Sequence, residues 1–245
     1  MEKMDFHIHS DYSDDGSASL EDIVTEAIRW GLVAIGIVDH VRGDAAWLEE
    51  REARISGLRK KYADDIAIFS GIEVKVVDDQ GTLEVEDRAL HKADYVVASF
   101  HGTPEHVSRQ SANGDHTAVV RWWCDSMLKL LEEGGRAQII GHPDRVLNAS
   151  RLTVDPEKFG QLLEMATKSR MFLEWNPVTT YPAQPFVQEL GKKASANIIY
   201  ASDAHTIGEL ADAYRGHTSF EEGMVERGNA ALLALLKSRQ ATRLR

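Results

Sequence analysis

Cysteine occurs once in this chain of 245 residues, as Cys124, so no intrachain disulfide can staple it. No apolar run is long enough to span a bilayer, and no segment has the order of a secretory leader. Basic residues are also short: 28 lysines and arginines stand against 39 aspartates and glutamates, a formal net charge of -11, with no long basic stripe. Such a chain repels a phosphate backbone, so nucleic acid is not an expected partner. The locally basic tail, with Lys237, Arg239, Arg243 and Arg245, reads as a solvated helix end. Repeats and low-complexity linkers are absent as well. These absences lead us to expect a cytoplasmic protein without a membrane partner, folded as one domain over 1–245, and they leave the oligomeric state open.

Short apolar, β-branched runs recur instead: "MDFHIH" (4–9), "VAIGIVDH" (33–40), "IAIFSGIEVKV" (66–76), "DYVVASFHG" (94–102), "AQIIGHPD" (137–144), "RMFLEWNP" (170–177) and "NIIYASDAH" (197–205). They make about seven strands, most of them continuously apolar, as parallel strands covered on both faces are. Helical patterns separate them. In "SLEDIVTEAIRWG" Ser19 can cap the helix, with Asp22 three residues on, and Leu20, Ile23, Val24, Ala27 and Ile28 repeat at helical spacing. Further helices are expected at roughly 45–63, 116–134, 155–169, 183–195 and 227–239. Alternating βα units mean an α/β fold, either a barrel or a doubly wound sheet.

The polar residues that end these runs carry the chemistry. His7 and His9 stand two apart on the first strand, so they share a face. His40 follows "IGIVD", Glu73 follows "FSGI", His101 follows "VVASF", His142 follows "QIIG", and Asp203 and His205 follow "IIYAS". A lone histidine at a strand end is ordinarily a satisfied polar residue or a cap. Six at corresponding ends are another matter, because burying so many imidazoles without partners is expensive. In a barrel these ends form the face where active sites are built. Imidazole with carboxylate and no thiolate suits zinc, manganese or iron. Nine donors, counting an aspartate of "SDDG", exceed the needs of one ion and suffice for about three divalent ions with open positions. His91, His106, His116 and His217 lack this context. The stretch "TPEHVSRQSANGDH" reads as a surface loop beside the site, and Trp122, Trp123 and Trp175 read as packing residues.

The motifs "DFHIHSDYSDDGS", "IVDH", "GIEVKV", "ASFHG", "GHPD", "EWN" and "ASDAH" resemble, in order, those of the PHP (polymerase and histidinol phosphatase) family, from residue 5 to about 205. The resemblance implies a distorted (β/α)7 TIM-like barrel with a trinuclear metal centre at the C-terminal ends of the strands. Carried over by position, His7, His9, Glu73 and Asp203 would hold one ion. Glu73 would bridge to a second, bound by His101 and His142. Asp15, His40 and His205 would hold the third, Asp15 being preferred to Asp14 because it stands directly before the glycine.

The family spans histidinol phosphate phosphatases, other small-molecule phosphoesterases and polymerase-linked exonucleases. The length of this chain and its acidic charge favour a phosphatase acting on a small phosphate monoester, with a metal-bridged hydroxide as nucleophile. Glu73 and Asp203 are then catalytic, and Arg145 is the first candidate for gripping phosphate, ahead of Arg42 and Lys75. Asp203, Asp39 or a bound water would assist the leaving group, and Asn176 would reach substrate or a ligand. Two alternatives stand beside this reading. One is an amidohydrolase-type barrel acting on lactones or amides, whose bridging lysine is replaced here by Glu73. The other is a metal-binding module without catalysis.

Overall fold

Each apolar run contains a strand: β1 (Lys3–Ile8), β2 (Leu32–His40), β3 (Ala67–Lys75), β4 (Tyr95–Ser99), β5 (Ile139–Gly141), β6 (Phe172–Trp175) and β7 (Ile198–Tyr200). The computed structural model describes residues 2–42, 45–115, 117–133, 136–176, 185–193, 197–215 and 219–243. The seven strands pair in chain order and every pairing is parallel. At the seam, β1 meets the segment after β7: His9 N–H donates to Ala204 O at 2.8 Å and Asp203 N–H donates to His7 O at 2.8 Å. The result is a nearly closed α/β barrel, so the doubly wound alternative falls away.

The helices are α1 (Leu20–Arg29), α2 (Leu48–Lys61), α3 (Asp87–Lys92), α4 (Glu105–Ala112), α5 (Ala118–Glu133), α6 (Arg145–Ala149), α7 (Pro156–Lys168), α8 (Pro185–Gly191), α9 (Ile207–Arg215) and α10 (Ser219–Arg243). Helix α1 begins as its sequence predicts: Ser19 Oγ accepts from Asp22 N–H, and Leu20, Ile23, Val24 and Ala27 are buried. Helix α7 starts on Asp155, whose side chain accepts from two backbone N–H groups, with Pro156 in the first turn.

Two expectations need correction. The stretch expected as a surface loop carries α4, which starts after Pro104 and buries Val107 while His106 stays exposed. His116 and His217 lie outside the described residues. The basic tail is not simply solvated either: Arg239 donates to Asp94 O, and Arg243 donates to the carbonyls of His91, Lys92 and Ala93.

Side chains alternate across the barrel wall. Ala34, Val38, Phe69, Tyr95, Val97, Ile139, Phe172 and Ile199 fill the interior with Met4 and Phe6, and Leu232 and Leu236 of α10 join this cluster. Tyr95 crosses the interior to donate to Phe6 O at 2.7 Å. Its ring occupies the space beside Gly36, where an added Cβ would stand 1.8 Å from the phenolic oxygen. A larger cluster packs the outer wall against the helices, including Trp122, Trp123 and Trp175, which are all buried.

Candidate metal centre

The interior alternation carries polar residues to the C-terminal mouth. Along β2 the inward set runs Ala34, Gly36, Val38 and then His40; along β3 it runs Phe69, Gly71 and then Glu73. Strand β1 reaches the same end differently. Its pairing with β2 is irregular between Asp5 and Ile8, and across that irregularity the inward set passes from Met4 and Phe6 to His7 and His9. His142 and Asp203 adopt left-handed backbone, with φ of 30° and 55°. Such strain in non-glycine residues persists where the surrounding structure holds it, and it gathers at functional sites.

Glu73 is buried at the centre of the group. Its Oε2 lies 3.5 Å from His7 Nε2, 3.4 Å from His9 Nε2 and 2.9 Å from His40 Nδ1. Its Oε1 lies 3.1 Å from His101 Nε2 and 3.0 Å from His142 Nε2. Asp203 Oδ1 stands 3.2 Å from His9 Nε2 and 3.7 Å from His7 Nε2. Asp15 Oδ2 stands 3.2 Å from His40 Nε2 and 3.6 Å from His205 Nε2. The nine residues singled out in the sequence thus occupy one network. Three sets place ligand atoms within 4.8 Å of one another: His7, His9, Glu73 and Asp203; His9, Asp15, His40 and His205; His40, Glu73 and His101.

The donor set fits metal ions. As a neutral ring, His7 gives its Nδ1 proton to Glu174 Oε1 at 2.6 Å, and His205 gives its own to the Asp203 carbonyl at 2.8 Å. Both rings therefore turn an Nε2 lone pair toward carboxylates that can only accept. Among the described residues, His7 Nε2 is buried without a hydrogen-bond partner. Burial alone would raise the Glu73 carboxyl, yet His101 and His7 hold it well below the usual range. Asp203 is lowered likewise, burial being outweighed by the close approach of His9 Nε2 at 3.2 Å and by His7. Burial disfavours charge on His7, but Glu174 and Glu73 outweigh it and hold the imidazole well above its ordinary value. The cluster demands positive charge, which a proton or a metal ion supplies.

The sequence profile of the PHP domain matches residues 5–177. The chain belongs to the PHP domain family. A curated relative, the DNA polymerase/3'-5' exonuclease PolX of Bacillus subtilis, is 27% identical over 256 residues, covering 98% of this chain and 40% of its own length. Further relatives named "probable phosphatase" match at 23 to 29% identity. The chain spans about two fifths of the length of the first curated relatives it matches. Among solved structures, a protein assigned as a histidinol phosphatase from Listeria monocytogenes has a TM-score of 0.68 at 17% identity, covering 88% of this chain and 100% of its own. Histidinol phosphate phosphatase from Lactococcus lactis, complexed with zinc, L-histidinol and phosphate, has a TM-score of 0.64 at 19% identity, covering 93% and 94%.

Other sequence candidates of this PHP domain divide clearly. Asp14 turns away: its Oδ2 pairs with Arg42 Nη1 at 2.6 Å on the exposed rim, which engages Arg42 as well. Arg145, at the start of α6, places Nη1 3.3 Å from Asp203 Oδ2 while staying partly exposed. Lys75 is half-buried at the end of β3, and Asn176 is buried just past β6. Asp39 is unsuited to proton donation, because its two oxygens accept from Arg51 Nε, Ser10 N–H, Ser10 Oγ and Ser13 Oγ. Sequence reasoning missed Glu174, which holds His7 with one oxygen and accepts from His142 N–H with the other at 2.9 Å. Its signal was a carboxylate on the inward face of a short apolar strand, where no unpaired charge is tolerated.

Proposed function

We propose that this PHP domain is a metal-dependent phosphoesterase that hydrolyses a small-molecule phosphate monoester resembling histidinol phosphate. The observation that carries the reading is Glu73, whose two oxygens face separate groups of histidines at the barrel mouth. In this proposal about three divalent ions, of zinc, manganese or iron, are held as follows. His7, His9, Glu73 and Asp203 hold the first. Glu73, His101 and His142 hold the second, and Asp15, His40 and His205 hold the third. Bound there, divalent ions would polarise phosphoryl oxygens and make water nucleophilic near neutral pH.

The side chains supply the rest. Arg145, partly exposed beside Asp203, orients a phosphoryl group by its planar fork of donors. Asp203, held ionised by its histidine neighbours, has no proton to lend the leaving group and is too weak a base to keep one, so it would act as an anionic ligand while the proton of the attacking water passes to solvent. Asp39 is fully engaged, so the departing alkoxide takes its proton from solvent at the open mouth. The resemblance to phosphatases in sequence and fold supports the monoester reading. The match to a polymerase with exonuclease activity over 98% of the chain favours a second reading, a phosphodiesterase, which the acidic charge opposes.

The test measures phosphate release from histidinol phosphate and an aryl phosphate, and shortening of a single-stranded oligonucleotide, with manganese-loaded and chelator-treated protein. Phosphate release that chelation abolishes and manganese restores is the expected result. Oligonucleotide shortening without monoester turnover would install the second reading. Turnover of lactones or amides, or inertness of the loaded protein toward every ester, would sink both.

A further inference from the structure

Of the mouth histidines whose Nδ1 meets an oxygen, His9 has the one partner that is neither a carboxylate nor a carbonyl. His7 faces a carboxylate and His205 a backbone carbonyl, groups that can only accept. His9 Nδ1 faces Ser13 Oγ at 2.9 Å. A hydroxyl can donate or accept, and if it donated to Nδ1 the ring proton would move to Nε2 and point at Asp203 and Glu73.

Hydrogen counting removes the ambiguity. Ser13 Oγ has one proton, which it gives to Asp39 Oδ1 at 3.0 Å. Its two lone pairs are then taken by His40 N–H at 3.0 Å and by His9 Nδ1–H. Asp39 is held as the acceptor by the buried Arg51 of α2. Every N–H of that guanidinium is used: Nε on Asp39, Nη1 on Glu52 and Ser70, and Nη2 on the carbonyls of Ile37 and Gly71. One arginine thus ties the strands bearing His40 and Glu73 to the carboxylate that sets the hydroxyl.

We propose that Ser13 is a positioning residue: clamped by the buried Asp39–Arg51 pair, its hydroxyl fixes His9 as the Nδ1–H tautomer and aims the Nε2 lone pair at metal. The proposal rests on the metal-centre reading above. It assigns Ser13, Asp39 and Arg51 a role in ion affinity although none of them is among the proposed ligands. Removing outer partners of this kind costs roughly 10- to 100-fold in metal affinity.

The experiment compares wild type, Ser13→Ala and Ser13→Thr by zinc titration against a competing chelator, and by long-range proton–nitrogen spectra of metal-free protein labelled with 15N-histidine. Ser13→Ala should weaken zinc binding by about 10- to 100-fold and shift His9 from the Nδ1–H pattern toward Nε2–H, while Ser13→Thr restores both. A Ser13→Ala protein with wild-type affinity and an unchanged His9 pattern overturns the proposal and leaves the metal centre standing. A wild type that binds no zinc, manganese or iron overturns the metal centre and the proposal together. Should Ser13→Ala fail to fold, Ser13→Gly, which also removes the acceptor and adds no metal ligand, gives the same two readouts.

Discussion

At the scale of single residues, the centre depends on carboxylates that do different jobs. Glu73→Ala removes the group between the two sets of histidines, so bound metal should fall by at least one ion per chain, read by elemental analysis, with loss of phosphate release. Glu174→Gln keeps the shape but replaces a carboxylate that orients His7, and should weaken metal binding about 10- to 100-fold in a chelator competition. An unchanged affinity would relegate Glu174 to packing. Cys124 is a quieter case: burial pushes its thiol up to about 11, so a thiol reagent should react with folded protein far more slowly than with unfolded protein below that pH. Eight of the nine ligand candidates were legible because they stand at the ends of apolar runs, whereas Asp15, in a polar turn, came only from the family resemblance. Glu174 was not, since its contact with His7 spans 167 positions and no local pattern records it.

At the scale of elements, strands were easier to read than helices. A parallel strand covered on both faces leaves an unbroken apolar run, and all seven runs contain one. Helices α3, α4, α6 and α9 are short, between 5 and 9 residues, too few turns for a periodic apolar stripe to declare itself. Helix α10 begins at Ser219, well before the expected 227. Its Leu232 and Leu236 join the interior barrel cluster, a role invisible in the sequence because the stripe does not say which surface it covers. Leu232→Ala should therefore cost about 2–5 kcal/mol, measured by denaturant unfolding, as truncation in a closed core does. A loss below about 1 kcal/mol would mean that α10 merely rests on the barrel.

At the scale of the whole molecule, binding and folding are linked. If the mouth holds divalent ions, free metal at 100 times its dissociation constant adds about 2.7 kcal/mol to stability. For a chain of this size a chelator should then lower Tm by roughly 5–10 °C, and an unshifted melt would argue against tight ions. The seam between β1 and the segment after β7 adds an order in time. His7 and His9 are synthesised first, whereas Asp203 and His205, which face them across that seam, come almost 200 residues later. A nascent chain therefore carries half a clasp until the segment after β7 has been made. An ion held by His9 and Asp203 together would lock in only after β7 has docked, so metal capture would register the completion of the barrel.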